Sequence, residues 1–214
     1  MPVAHPARPI TLYRYALSGH CHRVELFLRL LDLPWQPIDI DLRRGEHKRP
    51  EFLALNAFGQ VPVIDDAGTV VSDSNAILAY LALCYASESW LPRDAVGAAR
   101  VQRWLSAAAG PLAFGAARAR VVQLFWLPQD AQDAIERAHS LCRVIEQTLA
   151  AEGSLFIAGA DPTIADLALY TYTAHAPEGN VSLDAYPLLR AWLERIEALP
   201  GFAAMPASRI GLAA

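Results

Sequence analysis

Four short segments carry side chains able to do chemistry. The first is Ser18-Gly19-His20-Cys21-His22-Arg23, which follows a short apolar run and opens a helical pattern. A helix N-terminus presents free N–H groups and a partial positive charge, so it favours anions. A thiol placed there has a lowered pKa, and Ser18 could donate its hydroxyl to such a thiolate. Ser18 reads equally as the plain N-cap of the helix. His20 and His22 are two positions apart and do not share a helix face, which makes them a poor metal pair. Cys21 reads as a redox nucleophile or as a small buried residue, the commoner fate of a lone cysteine.

The second segment is Gln60-Val61-Pro62. Proline opening a strand cannot donate to a ladder and belongs at an edge or a bend. With a cis Val61–Pro62 bond, Val61 would turn its backbone N–H and C=O outward, and an extended peptide could pair with them. With a trans bond, Pro62 is an ordinary turn proline. The third segment is Ser72-Asp73-Ser74, with more capping residues than one helix needs. Ser74 and its N–H could bind a carboxylate on the helix dipole, and Asp73 could accept from an amino group of the same ligand. The pair would suit an α-amino acid head group, or serve only as a cap. The fourth, Thr163-Ile164-Ala165-Asp166, has the form of a capping box before an apolar run and reads as structural.

These residues need elements to hold them. Ile10 to Tyr13 predicts a buried strand, and Val24, Phe27, Leu28 and Leu31 a helix stopped by Pro34. Ile38, Ile40 and Leu42 alternate with Asp39 and Asp41, predicting a second strand. A short helix over 51–55 ends at Asn56. Strands over 61–64 and 69–71 flank the turn signal Asp65-Asp66-Ala67-Gly68, and a capped helix carries Ile77, Leu78, Leu81 and Tyr85. The order β-α-β-α-β-β-α predicts a four-stranded mixed sheet with helices on both faces, a thioredoxin-like domain over 9–86. A linker over 87–94, punctuated by Pro92, leads to an all-helical domain over 95–214. Its first helical pattern runs from about Val96 to Phe125 with a break expected at Gly110-Pro111. Further helices are predicted from Pro128, from Thr163 and around Trp192. The fold class is therefore α/β plus all-α, with a helical bundle second.

Composition narrows the function classes. The chain has 214 residues, 54% hydrophobic and 19% charged, which suits a soluble globular protein. A net charge of −4 argues against bulk capture of nucleic acid. No apolar run reaches membrane-spanning length, and Met1–Pro9 lacks the apolar core of a secretory signal. Three cysteines without a CxxC pair argue against a disulfide framework or zinc ribbon and favour a cytoplasmic home. Among 18 basic residues only Lys48 is lysine, a scarcity that codon bias explains.

The combination of motifs resembles the glutathione-binding signature of cytosolic glutathione S-transferases. The resemblance rests on Asn56-Ala57-Phe58-Gly59-Gln60-Val61-Pro62-Val63-Ile64, then Asp73-Ser74-Asn75-Ala76-Ile77, with Ala57 where the usual form has proline. The stretch from Leu12 to Leu28, the capping box and the domain order agree, so nearly the whole chain is covered. The resemblance implies a serine-type, bacterial-like member in which Ser18 contacts the glutathione sulfur. Other class patterns would place that residue at Gly19. His20 stands where some similar bacterial members have asparagine, and it could share the sulfur contact. Tyr13 and Tyr15 miss the position of a catalytic tyrosine. Val61, with Pro62, would pair with the cysteinyl part of glutathione, and Asp73 and Ser74 would hold the γ-glutamyl end. Gln60, His47 and Lys48 would lie near the glycyl carboxylate. Trp104, Phe114, Arg118 and Trp126 are candidates for the electrophile wall, with core packing as the alternative for the aromatics.

The reaction so implied adds the glutathione thiol to an electrophilic small molecule, with glutathione as co-substrate and no metal. Alternatives are a glutathione-dependent disulfide reductase or peroxidase, for which Cys21 beside the thiol site would suit a mixed disulfide, and a non-catalytic binding protein. The resemblance also implies a homodimer. Neither nucleic acid nor membrane is an expected partner.

Overall fold

The computed structural model describes residues 5–214. Met1–Pro9, read above as lacking a signal segment, lies partly outside the described residues. The first half runs β1 (Ile10–Arg14), α1 (Gly19–Leu30), β2 (Trp35–Asp39), α2 (Pro50–Leu55), β3 (Val63–Asp66), β4 (Thr69–Ser72) and α3 (Ser74–Tyr85). The strands form one mixed sheet in the order β2-β1-β3-β4, in which only β1 and β2 are parallel. This is the thioredoxin-like sheet predicted from the element order. Strand alternation sorts its two faces. Ile10, Leu12 and Ile64 join the main core with α1 and α3, whereas Tyr13 and Val63 pack with Phe52 of α2 and with Ile40.

Two strand boundaries differ from the sequence reading. The second strand is Trp35–Asp39 rather than the alternating run through Leu42. It is an edge strand whose register is set by β1, Ile10 facing Trp35 and Arg14 facing Asp39. Ile40 and Leu42 instead serve the small cluster over α2. The third strand starts at Val63, so Val61 and Pro62 precede the ladder. The hairpin turn is the two residues Ala67 and Gly68, both left-handed at φ 53° and 98°. That hand matches the right-handed twist of the flanking strands.

The second half is helical: α4 (Ala95–Ala107), a π-helical segment (Ala108–Ala117), α5 (Arg118–Leu124), α6 (Gln132–Glu152), α7 (Ile164–Ala174) and α8 (Pro187–Glu197). The expected break at Gly110-Pro111 lies inside the π segment, but the non-helical residue is Gly115, at φ −101° and ψ −106°. A Cβ there would stand 2.9 Å from the Ala138 backbone nitrogen, so the backbone bends where α6 crosses closest. The helix expected from Pro128 starts at Gln132, whose N–H is taken by Asp130 at 2.9 Å. Among the described residues no helix is long and apolar enough to cross a membrane.

Helix α7 is the hub. Every residue from Ile164 to Thr173 is buried, and the helix packs on α1, α3 and α4. It therefore joins the two halves and presents its side chains to the start of α1.

Candidate active site

A cleft of about 770 Å³ gathers residues from four separated segments. Ser18 and His20 come from the start of α1, His47 and Lys48 from the turn before α2. Gln60, Val61 and Pro62 come from the approach to β3, and Asp73 and Ser74 from the start of α3.

Local folding positions each of them. Ser18 is the N-cap of α1, and its Oγ accepts from the Cys21 N–H at 3.3 Å. That contact uses a lone pair and leaves the hydroxyl hydrogen free to donate. Capping and thiolate donation therefore do not compete. A Cβ on Gly19 would stand 2.8 Å from the Tyr172 ring. Position 19 thus points into the helical domain, and position 18 is the one of the pair that lines the cleft.

The two histidines part. The His20 ring meets Tyr172 edge-on with centroids 4.9 Å apart, and its Nδ1 lies 3.5 Å from Ser74 Oγ. Burial, helped by the Arg23 charge, pushes its pKa down to about 3. His22 turns the other way, with Nδ1 at 2.9 Å from Thr171 Oγ1 and Nε2 at 2.9 Å from the Ala203 carbonyl. Burial pushes its pKa down to about 4. Both rings are neutral at pH 7, so His20 offers a hydrogen bond rather than a charge.

Acidification should expose this. Unfolded histidine takes a proton below about pH 6.5, while these folded rings resist until about pH 3 to 4. The unfolded state then binds more protons, so stability falls as pH drops through that window. Urea unfolding at pH 5 is expected to show a loss of about 1 to 2 kcal/mol per histidine relative to pH 7. His22→Gln should reduce the difference; an unchanged pH dependence would contradict the assignment.

The Val61–Pro62 bond is cis, and Val61 sits in the cleft outside the ladder. Asn56, which the sequence marked only as a helix end, holds this loop. Its Nδ2 donates to the Gln60 carbonyl at 2.8 Å, and its Oδ1 accepts from the Phe58 N–H at 3.1 Å. The Lys48 ammonium also fastens the loop, donating to the Phe58 and Gly59 carbonyls at 3.2 and 3.0 Å. Gly59 permits this approach, since a Cβ there would stand 2.8 Å from Lys48 Nζ. His47 Nδ1 is buried without a partner among the described residues.

Asp73 caps α3, its Oδ1 accepting from the Asn75 and Ala76 N–H groups at 2.9 and 3.0 Å. Its backbone lies at φ 72° and ψ 127°, which costs a non-glycine residue on the order of 1–3 kcal/mol. The strain sits where one carboxylate must both cap the helix and face the cleft.

Three further side chains shape the site from below: Tyr172 and Arg120 lie outside the four motif segments, and Arg23 closes the first of them. Tyr172 fills the space behind Gly19. Arg23, wholly buried, donates Nη1 to Ser74 Oγ at 3.3 Å and to Asn75 Oδ1 at 3.0 Å. Arg120 of α5 donates Nη1 to the Leu17 carbonyl at 2.8 Å and pairs through Nε with buried Glu178 at 2.6 Å. It thereby fixes the loop that ends in Ser18. Its partner lies 103 positions away, beyond any local pattern.

Other expected residues lie elsewhere. Trp104 and Phe114 line a separate groove of about 890 Å³ between α4 and α6, and none of its residues also lines the Ser18 cleft. Helix α4 turns that face to α6, and it meets the candidate site at Leu105, whose carbonyl accepts from Asn75 Nδ2 at 3.0 Å. Arg118 is bonded to Gln129 at 2.9 Å, and Trp126 is 84% exposed beyond the end of α5. Cys21 is 1% exposed, and burial pushes its thiol pKa up to about 11. The thiol-lowering effect of the helix end is thus not realised on Cys21 itself. Among the described residues no group of three or more His, Cys, Asp or Glu side chains could hold a metal.

Comparison with known proteins places this geometry in context. Residues 17–83 match the family model described as glutathione S-transferase, N-terminal domain, and residues 118–209 match the C-terminal domain model. Glutathione S-transferase 3 of Zea mays is 34% identical, over 91% of this chain and 91% of its own. Maleylacetoacetate isomerase of Pseudomonas aeruginosa is 32% identical, over 89% of this chain and 92% of its own. A glutathione transferase homologue from Drosophila mojavensis, solved with bound glutathione, superposes with a TM-score of 0.82 at 28% identity, covering 90% of this chain and 89% of that one.

Proposed function

The chain belongs to the glutathione S-transferase family, and from that premise we propose that it binds glutathione in the Ser18 cleft, ionises the thiol and adds it to an electrophilic small molecule. The observation that carries this reading is the convergence of Ser18, Val61, Asp73 and Ser74 from distant segments on one cleft. Ser18 donates to the sulfur, with neutral His20 as a second contact. Val61, before cis Pro62, pairs with the cysteinyl backbone. Asp73 accepts from the γ-glutamyl ammonium, and Ser74 with the α3 N-terminus binds its carboxylate. Gln60, His47 and Lys48 face the glycyl end.

The energetics are sufficient. A free thiol has a pKa of about 8.5, and lowering it by about two units needs roughly 2.7 kcal/mol. A hydroxyl bond to an anion supplies about 1.5–3 kcal/mol and the helix dipole up to about 1. The test is a thiolate absorbance band on adding glutathione at pH 7, together with turnover of a chloronitroaromatic. Absence of both would reject the reading. Asp73→Ala is expected to weaken glutathione binding about tenfold by calorimetry, through the lost charged hydrogen bond. Unchanged affinity would remove Asp73 from the head-group site.

A second reading follows from the likeness to maleylacetoacetate isomerase. There the thiolate would add to an unsaturated acid and leave again, so glutathione is recovered unchanged. Quantifying glutathione before and after turnover of such an acid separates the two. In the reductase or peroxidase alternative, burial of Cys21 and its protonated thiol weigh against a mixed disulfide at that residue and leave the glutathione thiol as the reductant.

We also infer a homodimer in the cytoplasm. The exposed Phe58, at 80%, and the apolar groove between α4 and α6 are surfaces a second copy could cover. All three cysteines are unpaired, as a reducing compartment would keep them. Light scattering that returns a monomer mass at micromolar concentration would reject the dimer.

A further inference from the structure

Arg23 is a buried cation without a counter-ion. Its side chain is 0% exposed, and it forms no ion pair among the described residues. Two of its three nitrogens, Nε and Nη2, have no hydrogen-bond partner. The third, Nη1, reaches two neutral oxygens, Ser74 Oγ at 3.3 Å and Asn75 Oδ1 at 3.0 Å. The Asp73 carboxylate favours the Arg23 cation through space but makes no ion pair with it, its Oδ1 capping α3. Buried charges are ordinarily paired, because desolvation otherwise costs several kcal/mol. The other buried arginine of the chain, Arg120, obeys that rule with Glu178 at 2.6 Å.

The orphan charge stands behind one wall of the cleft. Ser74 lines the cleft on one side and accepts from Arg23 on the other. An anion bound at Ser74 would be held by a hydroxyl polarised by a buried guanidinium. We propose that Arg23 is a positioning residue for the γ-glutamyl carboxylate, which binds at Ser74 and supplies charge balance that no ion pair of the described residues provides. The inference rests on the glutathione reading above and adds to it the source of carboxylate selectivity.

An opposite pull on stability and affinity follows. Methionine has a comparable length, and replacing an unpaired buried charge with an apolar side chain is neutral or stabilising. Arg23→Met should therefore fold with an unfolding midpoint at or above that of the parent chain. Its affinity for glutathione should fall about ten- to thirtyfold, the range of one lost charge-assisted contact. The decisive probe is a glutathione analogue whose γ-glutamyl α-carboxylate is a carboxamide. The parent chain should prefer glutathione to this analogue by at least about tenfold, and Arg23→Met should bind the two alike within about threefold. Arg23→Lys should recover part of the preference. A purely structural role would weaken both ligands equally and lower the midpoint.

Each outcome decides something. A folded Arg23→Met chain that keeps the parent preference overturns the inference and leaves the glutathione reading intact. A chain that does not fold shows that the charge is already compensated within the protein, which also overturns it. A parent chain that fails to bind glutathione, or does not prefer it to the carboxamide, removes the head-group reading and this inference together.

Discussion

Ser18→Ala is expected to raise the pKa of bound glutathione thiol by about one to two units, the equivalent of one hydroxyl-to-anion bond. At neutral pH the thiolate fraction, and kcat/KM for conjugation with it, should fall about three- to twenty-fivefold. Affinity for glutathione should change little, because the proposed γ-glutamyl and cysteinyl contacts, Asp73, Ser74 and Val61, line the cleft from other segments. The measurement is thiolate absorbance against pH with saturating glutathione. Ser18 also caps α1, so alanine carries an additional stability cost of about 1 kcal/mol. Ser18→Thr separates the two roles. Threonine keeps the hydroxyl and can still cap, so its thiol pKa should stay near the parent value. An alanine variant with an unshifted pKa would transfer the sulfur contact to His20, whose ring lines the same cleft. The pH dependence of the reaction should then follow the thiol alone, since His20 stays neutral down to about pH 3.

Asp166→Ala is expected to be the most destabilising single change in the helical domain. The carboxylate is 0% exposed and accepts four hydrogen bonds. Oδ1 takes the Ile157 N–H and Trp192 Nε1, each at 2.8 Å. Oδ2 takes the Thr163 N–H at 2.8 Å and its hydroxyl at 2.9 Å. Burial pushes the Asp166 pKa up, and the four donors oppose that push. Alanine would leave all of these buried donors without their acceptor, at about 1–3 kcal/mol each. A total loss of about 4 kcal/mol or more is expected, against a typical domain stability of about 5–15. Thr163→Ala, which removes the cap and one of the four donors to Asp166, should cost about 1 kcal/mol. The comparison is made by urea unfolding. A loss for Asp166→Ala no larger than for Thr163→Ala would show that the network is not cooperative. Because Tyr172 stands on the same helix and backs Gly19, partial loosening of α7 should also reduce glutathione turnover before the fold is lost.

The capping box illustrates how far local pattern reaches. Thr163 and Asp166 are three positions apart, and their reciprocal bonds follow from helix geometry alone. The two further donors from Ile157 and Trp192 do not. What the sequence marked as a helix start is also the junction of α7, α8 and the preceding loop. Cys21 shows the opposite case. Its position at a helix N-terminus argued for a lowered pKa, yet burial outweighs that effect and raises it. Burial depends on what packs over the helix, which no window of neighbouring residues contains. That Trp104 and Phe114 line a separate groove was hidden for the same reason, since helix periodicity defines a face but not the partner it meets.

The sequence by itself determined what is local: strand and helix order, the hairpin, the caps, and the composite signature that brings Ser18, Val61, Asp73 and Ser74 into one family pattern. Those features depend on interactions among residues a few positions apart, where dihedral preference and hydrogen-bond spacing decide the outcome. Only the tertiary structure decided that position 19 faces Tyr172, so that Ser18 lines the cleft. It also decided that His22 bonds Thr171, 149 positions away, while His20 turns to Ser74. Likewise it left Arg23 buried behind Ser74, with no ion pair among the described residues. These outcomes depend on which surfaces exclude water from one another. Desolvation acts on groups brought together by packing, irrespective of their distance along the chain.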